Sequence, residues 1–287
     1  MPRLFCFGMG YAALTLAREL RGQGWEIGGT CRSAEKRAEL EAEGFSPVQL
    51  FDRGQPIADA ARVLAGFPFI LASVPPGAGG DPVLAAHGAD LAGLAGLRWV
   101  GYLSTTGVYG DRGGDWVDEQ AELRPAGERG ARRVAAEAGW RALGLPLHIF
   151  RLPGIYGPGR SVLDAVRQGT ARRIEQPGQV FSRIHVADLA QALAASMAAP
   201  NPGAVYNICD DEPAAQAEIV AFACELLGVP APPPQTLAEA GLSPMARSFW
   251  DESKRVANAR MKRELGVTLE YPDYRAGLRA ILAASGD

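Results

Sequence analysis

The sequence predicts a doubly wound parallel α/β sheet with a smaller C-terminal lobe, and three observations carry that expectation. Short apolar runs alternate with helical patterns through the first half of the chain. The runs are largely apolar, as strands are when both faces of a parallel sheet are covered. The first run ends in two glycines and passes directly into a helix.

Leu4-Phe5-Cys6-Phe7 reads as a buried strand, and Gly8-Met9-Gly10-Tyr11-Ala12-Ala13 follows it as Gly-x-Gly-x-x-Ala, entering a helix over 11–21. Gly8 permits the tight turn, and Gly10 keeps a Cβ away from an approaching ligand. Ala13 is small enough for the helix to lie against the strand. This is the setting of the dinucleotide fingerprint, in which a pyrophosphate rests on the free N–H groups of the helix start. A glycine-rich turn without a ligand would use the same residues, but strand, turn and helix in this order favour a cofactor. Gly8, Gly10, Tyr11 and Ala13 are the expected contacts.

Further strands are expected at 25–30, 48–51, 69–73, 99–104 and 147–152, with helices near 34–43, 57–64, 82–94 and 128–143. Right-handed crossovers between them give the doubly wound fold, with ligands at the carboxyl ends of the strands. After Arg151 prolines punctuate shorter elements, and Val229-Pro230-Ala231-Pro232-Pro233-Pro234-Gln235 reads as a rigid loop before a helical tail. Residues 1–152 with about 181–210 are therefore assigned to a cofactor-binding core, and about 153–180 with 211–287 to the lobe.

The second strand decides the cofactor. It runs Ile27-Gly28-Gly29-Thr30-Cys31-Arg32-Ser33, without the carboxylate that usually binds the ribose hydroxyls of NAD. Arg32 and Ser33 could donate to a 2′-phosphate, so NADP is expected and NAD is the weaker choice; Arg32 as a solvated surface charge is the alternative. Asp52 after the third strand could accept from the adenine amino group. Ser73 and Pro75 after the fourth could pass under the adenosine ribose. Simple turn chemistry is the competing reading of each.

The 287 residues are 47% hydrophobic and 21% charged, with a formal net charge of −3. That balance gives no reason to expect nucleic acid or an anionic membrane surface as a partner. No apolar run approaches the roughly 20 residues of a spanning helix, and no leader resembling a signal peptide is read. Cys6, Cys31, Cys209 and Cys224 are scattered without metal-ligand spacing, so no metal is expected and the thiols read as reduced, in a cytoplasmic protein. The expected partner is a small-molecule substrate.

Four later blocks carry a resemblance. They are Tyr102-Leu103-Ser104-Thr105-Thr106-Gly107-Val108-Tyr109-Gly110-Asp111, Arg151-Leu152-Pro153-Gly154-Ile155-Tyr156-Gly157-Pro158-Gly159, Ile184-His185-Val186-Ala187-Asp188-Leu189-Ala190 and Val205-Tyr206-Asn207-Ile208-Cys209-Asp210-Asp211-Glu212-Pro213. With the N-terminal fingerprint, they resemble the extended short-chain dehydrogenase/reductase family, the NAD-dependent epimerase/dehydratase group, over about residues 3–215. The resemblance implies a Rossmann core, a substrate lobe and a cleft between them. It makes Thr105 the match of the catalytic Ser/Thr and Pro153 the residue beside the nicotinamide amide. It also implies a homodimer paired through the helices near 82–94 and 128–143.

One departure stands out. The family's Tyr-x-x-x-Lys pair, which exchanges a proton with a substrate hydroxyl, aligns here with Arg129 and Arg133. No lysine occurs between Lys36 and Lys254. Arginine stays protonated, so Arg129 cannot be the general base. Arg133 could still bond the nicotinamide ribose. Arg129 and Arg133 share a helix face and could bind an anion together; a solvated face pairing with Glu128 and Glu137 is the alternative. Tyr109 and Tyr156 are the remaining proton donors at this edge of the sheet, water being the third. His185 reads as opening a helix at 186–199, and Asp111, Asp115, Asp118 and Glu119 as a loop that either covers the cleft or is solvated. Two functions remain open: an atypical NADP-dependent oxidoreductase or epimerase of a small, anionic or sugar-derived carbonyl or hydroxyl compound, with Thr105, Tyr109, Arg129 and Arg133 at its site, and a catalytically silent NADP-binding sensor.

Overall fold

The computed structural model describes residues 1–52 and 55–286. The chain begins β1 (Arg3–Phe7), α1 (Tyr11–Gly22), β2 (Glu26–Cys31), α2 (Ala34–Ala42), β3 (Val48–Leu50) and α3 (Ala60–Leu64). It continues β4 (Phe69–Ala72), α4 (Pro82–Ala92), β5 (Trp99–Thr105), β6 (Trp116–Val117), α5 (Glu128–Ala142) and β7 (Leu147–Leu152). Then come β8 (Gly154–Tyr156), α6 (Val162–Arg167), β9 (Arg173–Ile174), β10 (Arg183–His185), α7 (Val186–Ala198), β11 (Val205–Asn207) and α8 (Gln216–Leu226). The last elements are β12 (Pro234–Gln235), α9 (Pro244–Arg247), β13 (Arg255–Val256), α10 (Ala259–Leu265) and α11 (Tyr274–Ala284).

Seven strands make one sheet in the order β11-β7-β5-β4-β1-β2-β3, parallel throughout. The strand order reverses between β1 and β4, so a crevice opens beyond their carboxyl ends. Alternation along β1 shows why its run is continuously apolar. Leu4 and Cys6 enter the core under α1 and α7, while Phe5 and Phe7 enter the core under α4 and α5. A smaller apolar cluster around Leu163, Ile219, Tyr274 and Leu278 joins α6, α8 and α11.

Local signals explain the helix boundaries. Asp81 caps α4, accepting from the N–H groups of Val83 and Leu84, with Pro82 at the first helical position where its missing N–H is harmless. Ser33 caps α2 in the same way through the Lys36 N–H. His185 caps α7 through Nδ1, which accepts from the Ala187 N–H, so it opens that helix as expected. The helix expected over 57–64 starts only at Ala60, because Asp59 takes a left-handed φ of 50° that no α-helix contains.

Candidate functional site

A cavity of about 1450 Å³ lies over the carboxyl edge of the sheet. Its wall brings together Gly10, Tyr11, Ala13, Ser73, Pro75, Thr105, Arg129, Arg133 and Pro153, residues far apart in sequence. The β1–α1 turn forms one end. Gly8 has φ +86°, and a Cβ there would stand 2.9 Å from Val74 Cγ2 and 3.0 Å from Ser73 Oγ. Its N–H donates to Thr30 Oγ1 at 2.7 Å and its carbonyl accepts from Ser73 Oγ at 2.5 Å. Gly8 thus shapes the turn from behind and does not itself line the cavity. At Gly10 a Cβ would meet no atom within 4 Å, because it would project into the open space of the cavity. The start of α1 has no side-chain cap and no acidic residue in its first turn. Free N–H groups, a positive helix end and open space beside Gly10 are what a diphosphate needs, so this turn fits one.

A second hollow is lined by Arg32, Ser33, Lys36 and Asp52. Lys36 was not anticipated, although its place four residues beyond Arg32 on the next helix was available as a signal. Its Nζ lies 2.8 Å from Glu39 Oε2. Arg32 and Ser33 are exposed at the rim.

Beyond Pro75 the cavity passes the end of β5. Thr105 Oγ1 accepts from the Gly107 N–H at 3.2 Å, which leaves its own proton free to donate into the cavity. Arg129 and Arg133 share this wall. Arg133 Nη1 donates to the Tyr102 hydroxyl at 3.1 Å and to the Leu103 carbonyl at 2.5 Å. Arg129 lies 4.0 Å over the Phe249 ring, and its Nη2 stands 3.5 Å from where a Cβ on Gly107 would be, the same distance as Thr105 Oγ1. Threonine and guanidinium therefore flank one small space.

Tyr109 requires a correction. It is fully buried and does not line the cavity. Its hydroxyl donates to Asn207 Oδ1 at 2.7 Å and accepts from Arg151 Nη1 at 3.0 Å. Burial pushes its pKa up to about 12 against the pull of Arg151, so it is removed from the candidate proton donors. Glu137 does not pair with the cavity arginines either. It is buried, accepts two bonds from Arg151 at 2.9 and 3.1 Å, and accepts from Ser104 Oγ at 2.7 Å. Its position on α5 faces the sheet while Arg129 faces the cavity. The Glu128 carboxylate pairs with Arg132. None of Asp111, Asp115, Asp118 and Glu119 lines the cavity. Asp111 instead accepts from the N–H groups of Gly113 and Ser253, which holds the loop against the C-terminal segment. Tyr156 does reach the cavity; its hydroxyl donates to the Asp273 carbonyl at 3.3 Å, and burial raises its pKa.

Sequence reasoning missed Lys254. It lines the cavity and is only 8% exposed, with Nζ donating to the Gly110 carbonyl at 2.8 Å and to Glu252 Oε2 at 2.6 Å. Burial lowers its pKa, against the Glu252 carboxylate. A faint signal existed, since Lys254 is one of only three lysines among 29 basic residues. Its partners come from segments about 140 residues apart, which no local pattern joins. Among the described residues, no group of three His, Cys, Asp or Glu could hold a metal ion. Nor is any helix among the described residues long and apolar enough to cross a membrane.

No family model matches the chain. A solved structure of a functionally unknown conserved protein from Silicibacter pomeroyi is 52% identical, with complete coverage of both chains and a TM-score of 0.91. Protein YeeZ of Escherichia coli K12 is 25% identical over 281 residues, covering 95% of this chain and 97% of that one. UDP-glucuronic acid 4-epimerase from Bacillus cereus, solved with NAD, is 16% identical with a TM-score of 0.75, covering 97% and 96% of the two chains. Structural neighbours include NAD-dependent epimerase/dehydratase family members, with which this chain shares its Rossmann fold.

Proposed function

We propose that this chain, which belongs to one family with the Silicibacter pomeroyi protein, binds a nicotinamide dinucleotide, NADP in preference to NAD, as an atypical oxidoreductase or epimerase of a small carbonyl or hydroxyl compound. The observation that carries this reading is the continuity of the cavity, which runs from the uncapped start of α1 past Ser73 and Pro75 to Thr105. Gly10, Tyr11 and Ala13 hold the pyrophosphate end. Arg32, Ser33 and Lys36 take the 2′-phosphate, and Pro153 flanks the nicotinamide. The bound nicotinamide supplies or accepts the hydride. Thr105 donates a hydrogen bond to the reacting oxygen and so orients it. The division into a core of 1–152 with about 181–210, and a substrate lobe from the rest, is part of this proposal.

A second reading, a silent NADP-binding sensor, draws on α5. That helix carries neither tyrosine nor lysine, and Tyr109 is committed to a buried network. Fluorescence titration with NADPH and NADH, followed by absorbance decay with a panel of aldehydes and keto acids, tests both. NADPH is expected to bind at least tenfold more tightly, and Arg32→Ala to remove most of that preference. A charge-assisted hydrogen bond of about 1.5–3 kcal/mol corresponds to tenfold or more. Tenfold preference for NADH would overturn the cofactor assignment. Turnover that survives Thr105→Ala would remove that residue's role, and tight binding with no turnover would favour the sensor.

A further inference from the structure

We infer that the end of the cavity beyond Thr105 is an anion subsite, in which Arg129 and Lys254 take a carboxylate or phosphate group carried by the substrate. This rests on the oxidoreductase reading for the word substrate; the subsite itself stands on the geometry alone. Arg129 is half-buried and, among the described residues, has no hydrogen bond or ion pair. Among the described residues it stacks on the face of Phe249 and feels the Glu252 carboxylate only at longer range, which leaves the five N–H donors of the guanidinium unspent. Glu252 is the nearby carboxylate, and it is engaged by Lys254.

Local charge points the same way. The cavity wall carries six basic side chains against three acidic ones, in a chain whose formal net charge is −3. Two of the acids are already paired, Glu128 with Arg132 and Glu252 with Lys254. Arg160 lies over Tyr11 at the dinucleotide end. Arg129 is beside Gly107 at the opposite end, so the pyrophosphate at Gly10 does not account for it. The start of α5 adds to the field: its N-cap is Gly127, with no side-chain cap, and residues Gly127 to Gly130 border the same space. An anion here accepts from Arg129 in the two-pronged way guanidinium favours. Its neighbouring carbon then falls next to Thr105, which assigns the substrate to carbonyl or hydroxyl compounds bearing an acid group close to the reacting centre.

The test is calorimetric titration of malonate, inorganic phosphate and uncharged malonamide into the full chain, with and without saturating NADPH. Saturation occupies the other anion sites at α1 and Arg32. Malonate or phosphate is expected to bind at least tenfold more tightly than malonamide, and whichever wins identifies the group. Arg129→Gln and Lys254→Gln should each weaken that binding at least tenfold and change NADPH affinity less than twofold, while Arg129→Lys retains part of it. Equal binding of malonate, phosphate and malonamide to the wild type would overturn the subsite, whatever the variants do. Anion binding that persists unchanged in folded Arg129→Gln would overturn it as well. Failure of NADPH to bind, with anion binding still dependent on Arg129, would sink the cofactor reading and leave the subsite standing.

Discussion

Removing either member of the buried Glu137–Arg151 pair should destabilise the protein far more than removing both. Glu137 is 1% exposed and Arg151 3% exposed. The guanidinium spans both carboxylate oxygens at 2.9 and 3.1 Å and gives its third nitrogen to Tyr109. Glu137→Leu leaves a buried guanidinium without its counter-charge and takes the acceptor from Ser104 Oγ. A broken buried pair costs about 3–5 kcal/mol, and the orphaned hydroxyl adds about 1 kcal/mol. Arg151→Met strands the carboxylate at a similar cost. The double variant Glu137→Leu/Arg151→Met replaces the pair with apolar groups of comparable size and removes both stranded charges, so it should lie within about 1–2 kcal/mol of wild type. Urea unfolding followed by circular dichroism, read as a double-mutant cycle, supplies all four stabilities. Single losses that simply add in the double variant, or single losses below about 1 kcal/mol, would refute the account. The pair ties α5 to β7 and neither residue lines the cavity, so NADPH affinity in the folded double variant should be unchanged.

Gly10→Val should leave thermal stability nearly unchanged, since its Cβ meets nothing, yet weaken NADPH binding at least tenfold. Gly8→Ala should instead lower stability by about 1–2 kcal/mol, through its positive φ and the contact with Val74; the reverse pattern would contradict the assignment of the turn. Burial holds His185 down to about 4, well below its ordinary value of 6.5. The unfolded chain therefore binds the extra proton first: the contribution is complete above pH 6.5 and is lost as pH falls towards 4. That loss is about 3 kcal/mol, and His185→Asn, which keeps a cap acceptor, should flatten it in unfolding measured from pH 7 to 4. Tyr109→Phe should lower stability by about 1–2 kcal/mol while leaving NADPH affinity intact, and a selective loss of NADPH binding would return Tyr109 to the site.

The sheet and the β1–α1 end of the cavity were legible because their determinants are local. A continuous apolar run needs two covered faces. Gly8 is required by its φ, Gly10 opens onto the cavity, and Ser33 and Asp81 cap their helices through bonds two or three residues away. Strands β1 to β5 and β7 accordingly fall within a residue or so of their expected limits.

Chemistry beyond Thr105 was only half legible, because it depends on which way a helix turns and on contacts across more than a hundred residues. The sequence by itself determined the alternation, the Gly-x-Gly-x-x-Ala turn and the spacing that sets Arg129 and Arg133 on one helix. Tertiary structure alone decided that Tyr109 and Glu137 are spent on Arg151 in the dry interior, and that Lys254 reaches the cavity from the far end of the chain. Burial makes that difference: a buried polar group must satisfy itself with whatever the fold brings near it, and sequence spacing does not record what that will be.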